Sequence, residues 1–111
     1  MKLRYMQARP FTPVYNVNES AVATGIVAGT VTPGTTAGSI NATSLKSKFG
    51  FVFRARSTNT GKVYIGGPNV SSTVGYMLNA GDSVLVQIED LMNIFAVASA
   101  SAQLLDYIGT A

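Results

Sequence analysis

FGFVFRAR, Phe49 to Arg56, is the stretch on which the fold turns. With alternation, Phe49, Phe51, Phe53 and Ala55 fall on one side of the chain, and Gly50, Val52, Arg54 and Arg56 on the other. A period of two marks a half-buried strand, because successive side chains leave a pleated backbone on opposite faces. The pattern predicts the three phenylalanines in a core, with Arg54 and Arg56 on an exposed face. STNTG (57–61) then reads as a turn and KVYIG (62–66) as the returning strand of a hairpin.

Downstream, NAGD (79–82) is a turn that leads into SVLVQIE (83–89). There Val84, Val86 and Ile88 alternate with Leu85, Gln87 and Glu89, so the first three join Phe49, Phe51, Phe53 and Ile65 in the expected core. Asp90 can cap a single helical turn through Asn93, its carboxylate taking up amide protons left free at a helix start. IFAVASASA (94–102) and QLLDYIG (103–109) read as a final pair of strands. One helix over 90–105 is the competing reading, since Ala, Leu and Met favour helices. Strand is preferred: Ile94 and Val97 are β-branched, and almost no charge is present to solvate an outer helical face.

Upstream, Ser20 to Leu45 runs 26 residues without a charge. AVATGIVAGTVT (21–32) can form a strand, and PGTTAGS (33–39) is a loop. Pro10 and Pro13 exclude a helix or a central strand from the first 18 residues, which read as an extended arm. The expected organisation is an arm and Gly/Thr/Ala-rich segment over 1–47, followed by a core domain over 48–111. Turn signals every ~8–12 residues make the class all-β, an antiparallel β-sandwich or jelly-roll-like barrel with an extended N-terminal arm.

Composition removes most chemistry. The 111 residues include no His and no Cys, which excludes disulfides, thiol nucleophiles, zinc sites of the usual kind and any proton relay through imidazole. Glu89 and Asp90 are adjacent, so a strand would aim them at opposite faces, where they cannot share a substrate. Asp82 reads as a turn residue. Gly66-Gly67-Pro68 follows a strand but leads into no helical pattern, so it is a turn rather than a phosphate cradle. No catalytic residue, metal site or cofactor is expected, and the chain does not read as an enzyme. No apolar run approaches the ~20 residues of a spanning helix, and no secretory pattern is present, so the sequons at Asn18, Asn41 and Asn69 read as accidental.

Only 12 % of residues are charged, about half the usual share of ~25 %, while 47 % are hydrophobic. Such a surface favours association. The net charge of +3 also hides a split. Residues 1–62 carry all eight bases against Glu19 alone, and residues 63–111 carry four acids and no base. Lys2, Arg4 and Arg9 on the arm, with Arg54 and Arg56 on the strand, are therefore the candidate partner contacts. Nucleic acid is a weaker expectation, because the alternation puts the arginines and the phenylalanines on opposite faces, whereas single-stranded binding needs bases and aromatics together. Tyr64, Tyr76 and Tyr107 could serve as stacking platforms in a carbohydrate-binding module, a third class.

The stretch 62–108 resembles a pattern of small virion proteins of tailed bacteriophages. Val63-Tyr64-Ile65-Gly66-Gly67, Gly75-Tyr76, Leu78, Ala80-Gly81-Asp82-Ser83 and Asp90-Leu91 carry the resemblance. It implies a β-sandwich structural component, foremost a capsid decoration (cement) protein seated on the major capsid protein and stabilising the head. A head–tail neck or head-fibre attachment component is the alternative. It further implies a homo-oligomer on the capsid surface, made in the host cytoplasm, with no small-molecule substrate and no membrane. A trimer is the expected copy number, since decoration proteins of this sort often occupy threefold positions.

Overall fold

The computed structural model describes residues 24–111, and the arm with Lys2, Arg4 and Arg9 lies outside them. Eight strands follow in order: β1 (Ile26–Val31), β2 (Gly38–Ser39), β3 (Phe51–Ala55), β4 (Val63–Gly66), β5 (Tyr76–Leu78), β6 (Ser83–Val86), β7 (Phe95–Ala98) and β8 (Leu105–Thr110). They form two antiparallel four-stranded sheets, ordered β1-β8-β3-β6 and β2-β7-β4-β5. The protein is all-β, and the sheets stay separate rather than closing into a barrel.

The pairings have a simple origin. β4 pairs with β5, β3 with β6, β2 with β7 and β1 with β8, the nesting of one long hairpin whose tip lies between β4 and β5. Folding that ribbon across itself adds two further ladders, β3 with β8 and β4 with β7. The inward faces of both sheets then bury Phe51, Phe53, Ala55, Val63, Ile65, Leu78, Ala96 and Leu105 in one cluster.

β3 shows the alternation that its sequence requires, with Phe51, Phe53 and Ala55 buried and Val52 and Arg54 exposed. Ile65 is buried, and Val84, Val86 and Ile88 are half-buried against the same cluster. Phe49 departs from the expectation and is 51 % exposed. Gly50 is the cause. Its φ of +93° breaks the strand, so the parity is not carried past it. A Cβ at Gly50 would sit 2.5 Å from the Val86 carbonyl oxygen, so glycine is needed for close approach as well as for conformation.

Two expected hairpins do not form. β3 and β4 lie in different sheets, and so do β7 and β8. Both edges of β3 are taken by β6 and β8, leaving no edge for the chain that follows it. The two crossing connections are tied to each other instead. Asn59 Nδ2 donates to the Leu104 carbonyl at 2.9 Å, and the Leu104 amide donates to Asn59 Oδ1 at 2.8 Å. Gln103, 2 % exposed, accepts from the Gly61 amide at 2.7 Å and donates to Thr60 Oγ1 and the Ser101 carbonyl. A buried amide whose oxygen and nitrogen are both engaged avoids the cost of desolvation without a partner.

Residues 24–47 are integral to the two sheets rather than set apart from them. β1 pairs with β8 over its whole length, β2 pairs with β7, and Ile40 is buried. Residues 94–99 contain β7, not helix. Before them Asp90 caps a single 3-10 turn, Leu91–Asn93, as its position suggests.

Candidate interaction surface

The outward residues of the first sheet line up because the ladders fix their register. Val52 is paired with Ile108 and Leu85, and Ile108 with Ala28. One straight row therefore crosses all four strands: Ala28, Ile108, Val52, Leu85. Ile26 and Phe49 extend it at one end of the face. Ile26, Phe49, Val52, Leu85 and Ile108 are 73, 51, 39, 54 and 47 % exposed. They enclose a shallow apolar depression of about 330 Å³ with Thr110 at its margin. Single exposed apolar residues are ordinary, but a contiguous group, four of its members on four different strands, makes this face a candidate interaction surface.

The next row is polar: Thr30, Asp106, Arg54 and Ser83. Arg56, just beyond β3, turns back onto it. Its Nε donates to Asp106 Oδ1 and Oδ2 at 3.1 and 3.0 Å, and its Nη2 lies 3.0 Å from Oδ1 and 3.2 Å from Thr30 Oγ1. Thr30 Oγ1 donates to Asp106 Oδ1 at 2.6 Å. The Arg56 hydrogen bond outweighs the opposing cost of burial and holds the Asp106 carboxyl below its ordinary range, and the same contact raises Arg56. Arg54 and Arg56 thus share one face, as the sequence suggests, but in different roles. Arg56 is engaged within its own chain. Arg54 is exposed, and its charge also stabilises ionised Asp106.

The remaining carboxylates have local work. Asp90 accepts from Ser44 Oγ at 2.6 Å and from the Leu45 and Met92 amides at 3.0 Å each. The Ser44 bond leads the causes that depress its pKa. Glu89, exposed, stands 4.0 Å from Lys46, a pair too solvated to contribute much. Asp82 Oδ2 accepts from the Asn79 amide at 3.0 Å and closes the turn before β6. Among the described residues no group of three or more His, Cys, Asp or Glu could hold a metal ion. No helix among them is long and apolar enough to cross a membrane.

On the second sheet a groove of about 560 Å³ runs beside Tyr64, Thr35, Thr36, Ser71 and Ser99, and among the described residues no charged side chain lines it. The three tyrosines proposed for stacking do not share a surface. Tyr64 looks outward from the second sheet beside this groove. Tyr76 stands at that sheet's edge strand, and Tyr107 packs edge-on to Phe51 at 6.2 Å in the first.

The fold is thus all-β, two antiparallel four-stranded sheets, with a group of exposed apolar side chains at one end of the first. No protein-family model matches the chain, and no curated protein or solved structure matches it either.

Proposed function

We propose that this protein is a structural component of a tailed-bacteriophage virion, a decoration protein that binds the major capsid protein on the outside of the head and stabilises it. The exposed apolar face of the first sheet carries this reading. Four large side chains, Ile26, Ile108, Val52 and Leu85, are held by four hydrogen-bonded strands with Phe49 beside them, a pre-organised surface that loses little conformational freedom when a partner covers it. Arg54 stands beside the apolar row on the same face, where a rim charge can steer docking onto an acidic surface.

We read the sandwich as a jelly roll. The nested pairs β1–β8, β2–β7, β3–β6 and β4–β5 support it, since a jelly roll is such a ribbon rolled into two sheets. That architecture recurs in viral capsid domains, which agrees with the resemblance of 62–108 to small virion proteins. A fold alone does not give a function. The surface is what ties it to assembly, with a homo-oligomer as the unit.

Sedimentation of the purified protein with empty phage heads tests the reading. Co-pelleting at many copies per head, saturating with protein concentration, is the expected result. Protein that stays in the supernatant, or pellets only with particles bearing a neck, overturns it.

A further inference from the structure

Four strands end the two sheets, and three of these edges are blunted. β2 has two residues and β5 three. β6 has four, lies between Asp82 and Glu89, and stops where the Ile88 amide donates to the Val86 carbonyl at 3.0 Å, a tight turn at the strand's end. β1 differs. Its six residues contain no charge and no proline, and β8 is its only ladder partner among the described residues. The nearest charges in the sequence are Glu19 and Lys46. An edge strand presents a row of unpaired N–H and C=O groups, and proteins that remain monomeric blunt it with charge, proline, a bulge or short length. β1 carries none of these.

The sequence of this edge suits its own copy. Antiparallel self-pairing sets a strand against itself, and like charges facing each other would oppose it. β6 paired with itself would gather Asp82 and Glu89 from both copies along one seam. β1 brings no charge to the seam. Parity then fixes the register. Ile26, Ala28 and Thr30 face outward, while Val27, Gly29 and Val31 face the core side. Residues directly opposite each other in an antiparallel pair share a face, so a two-fold at Ala28 sets Ala28 against Ala28 and Ile26 against Thr30.

We propose that two copies of this chain join antiparallel along β1, about a two-fold axis near Ala28, and fuse their four-stranded sheets into one of eight strands. In that register the apolar row becomes continuous. Leu85, Val52, Ile108 and Ala28 of one copy run straight into Ala28, Ile108, Val52 and Leu85 of the other. The inference rests on the homo-oligomer proposed above but replaces the expected trimer with a two-fold pair, and its test reads mass in solution rather than attachment to heads.

The chain has no native cysteine, so Ala28→Cys and Ser83→Cys each carry a single thiol in the full-length protein. Light scattering should give the wild type twice the 11.6 kDa of one chain. Mild oxidation should convert Ala28→Cys to a covalent dimer and leave Ser83→Cys, on the far edge, uncrosslinked. Ala28→Lys should halve the mass without changing the circular dichroism spectrum. If that variant fails to fold, the two cysteine variants decide alone. A wild-type mass of one chain or three, or crosslinking through Ser83→Cys in place of Ala28→Cys, overturns the proposal.

Discussion

Phe49 and Phe53 are four residues apart, identical in type and equal in sequence parity, yet replacing them with alanine should have very different consequences. Phe53 is fully buried and sits 6.2 Å from Phe51, ring centre to ring centre. Truncating a buried phenylalanine removes its transfer free energy and leaves a cavity, together ~3–5 kcal/mol. Domains of this size have only ~5–15 kcal/mol in total. Phe49 keeps 51 % of its surface in water. Full burial of such a side chain is worth ~1.5–3 kcal/mol, so the half that is buried contributes about 1 kcal/mol. At ~4–8 °C per kcal/mol, Phe53→Ala should lower the melting temperature by ~12 °C or more, and Phe49→Ala by less than ~8 °C. Thermal and urea unfolding followed by circular dichroism measure both. Equal losses for the two variants would mean that the parity of β3 continues through residue 49, and that the break at Gly50 is wrong.

Gly50→Ala should itself cost more than ~2 kcal/mol, because a side chain in the left-handed region is disfavoured and the new Cβ would meet the Val86 carbonyl oxygen at 2.5 Å. The same urea titration measures it, and an unchanged midpoint would remove the conformational argument. Stability should also fall in acid. Asp106, held down first by its hydrogen bond from Arg56, and Asp90, first by Ser44, both have depressed pKa values in the folded protein. Their contribution is fully present above the unfolded carboxylate range, roughly pH 4, and is lost as pH falls through the depressed folded values. Urea midpoints should therefore drop between neutral pH and pH 3, and Asp106→Asn should flatten the drop. A midpoint independent of pH over that range would contradict these contacts.

Local alternation made β3 and β6 legible in the sequence, and the carboxylate ahead of LMN made the cap at Asp90 legible. Both depend on neighbours in the chain. Sheet membership does not. FVFRA and KVYIG look like a hairpin until β6 and β8 are seen to fill both edges of β3, and those partners lie about thirty and fifty residues away. AVATGIVAGTVT could be read as a strand and contains β1, but its partner could not be read, since β8 lies about eighty residues further on. At the surface, Val52 and Leu85 could be assigned outward by parity. Nothing local distinguishes Ile26 or Ile108 from core residues, and only the ladders set them in one row with Val52. Arg56 matched its expected face, but its commitment to Asp106, fifty residues on, has no sequence signal.

Attachment through the apolar face of the first sheet is the central claim, and the affinity of surface variants for empty heads tests it most directly. Leu85→Lys and Val52→Lys place a charge in the apolar row without touching the core. Met77→Lys makes the same change on the outward side of the second sheet, at a residue 44 % exposed. Head binding should weaken at least ~10-fold for the first two and stay at the wild-type level for the third, with all three melting as the wild type does. Weakened binding for Met77→Lys, with Leu85→Lys and Val52→Lys unaffected, would contradict it.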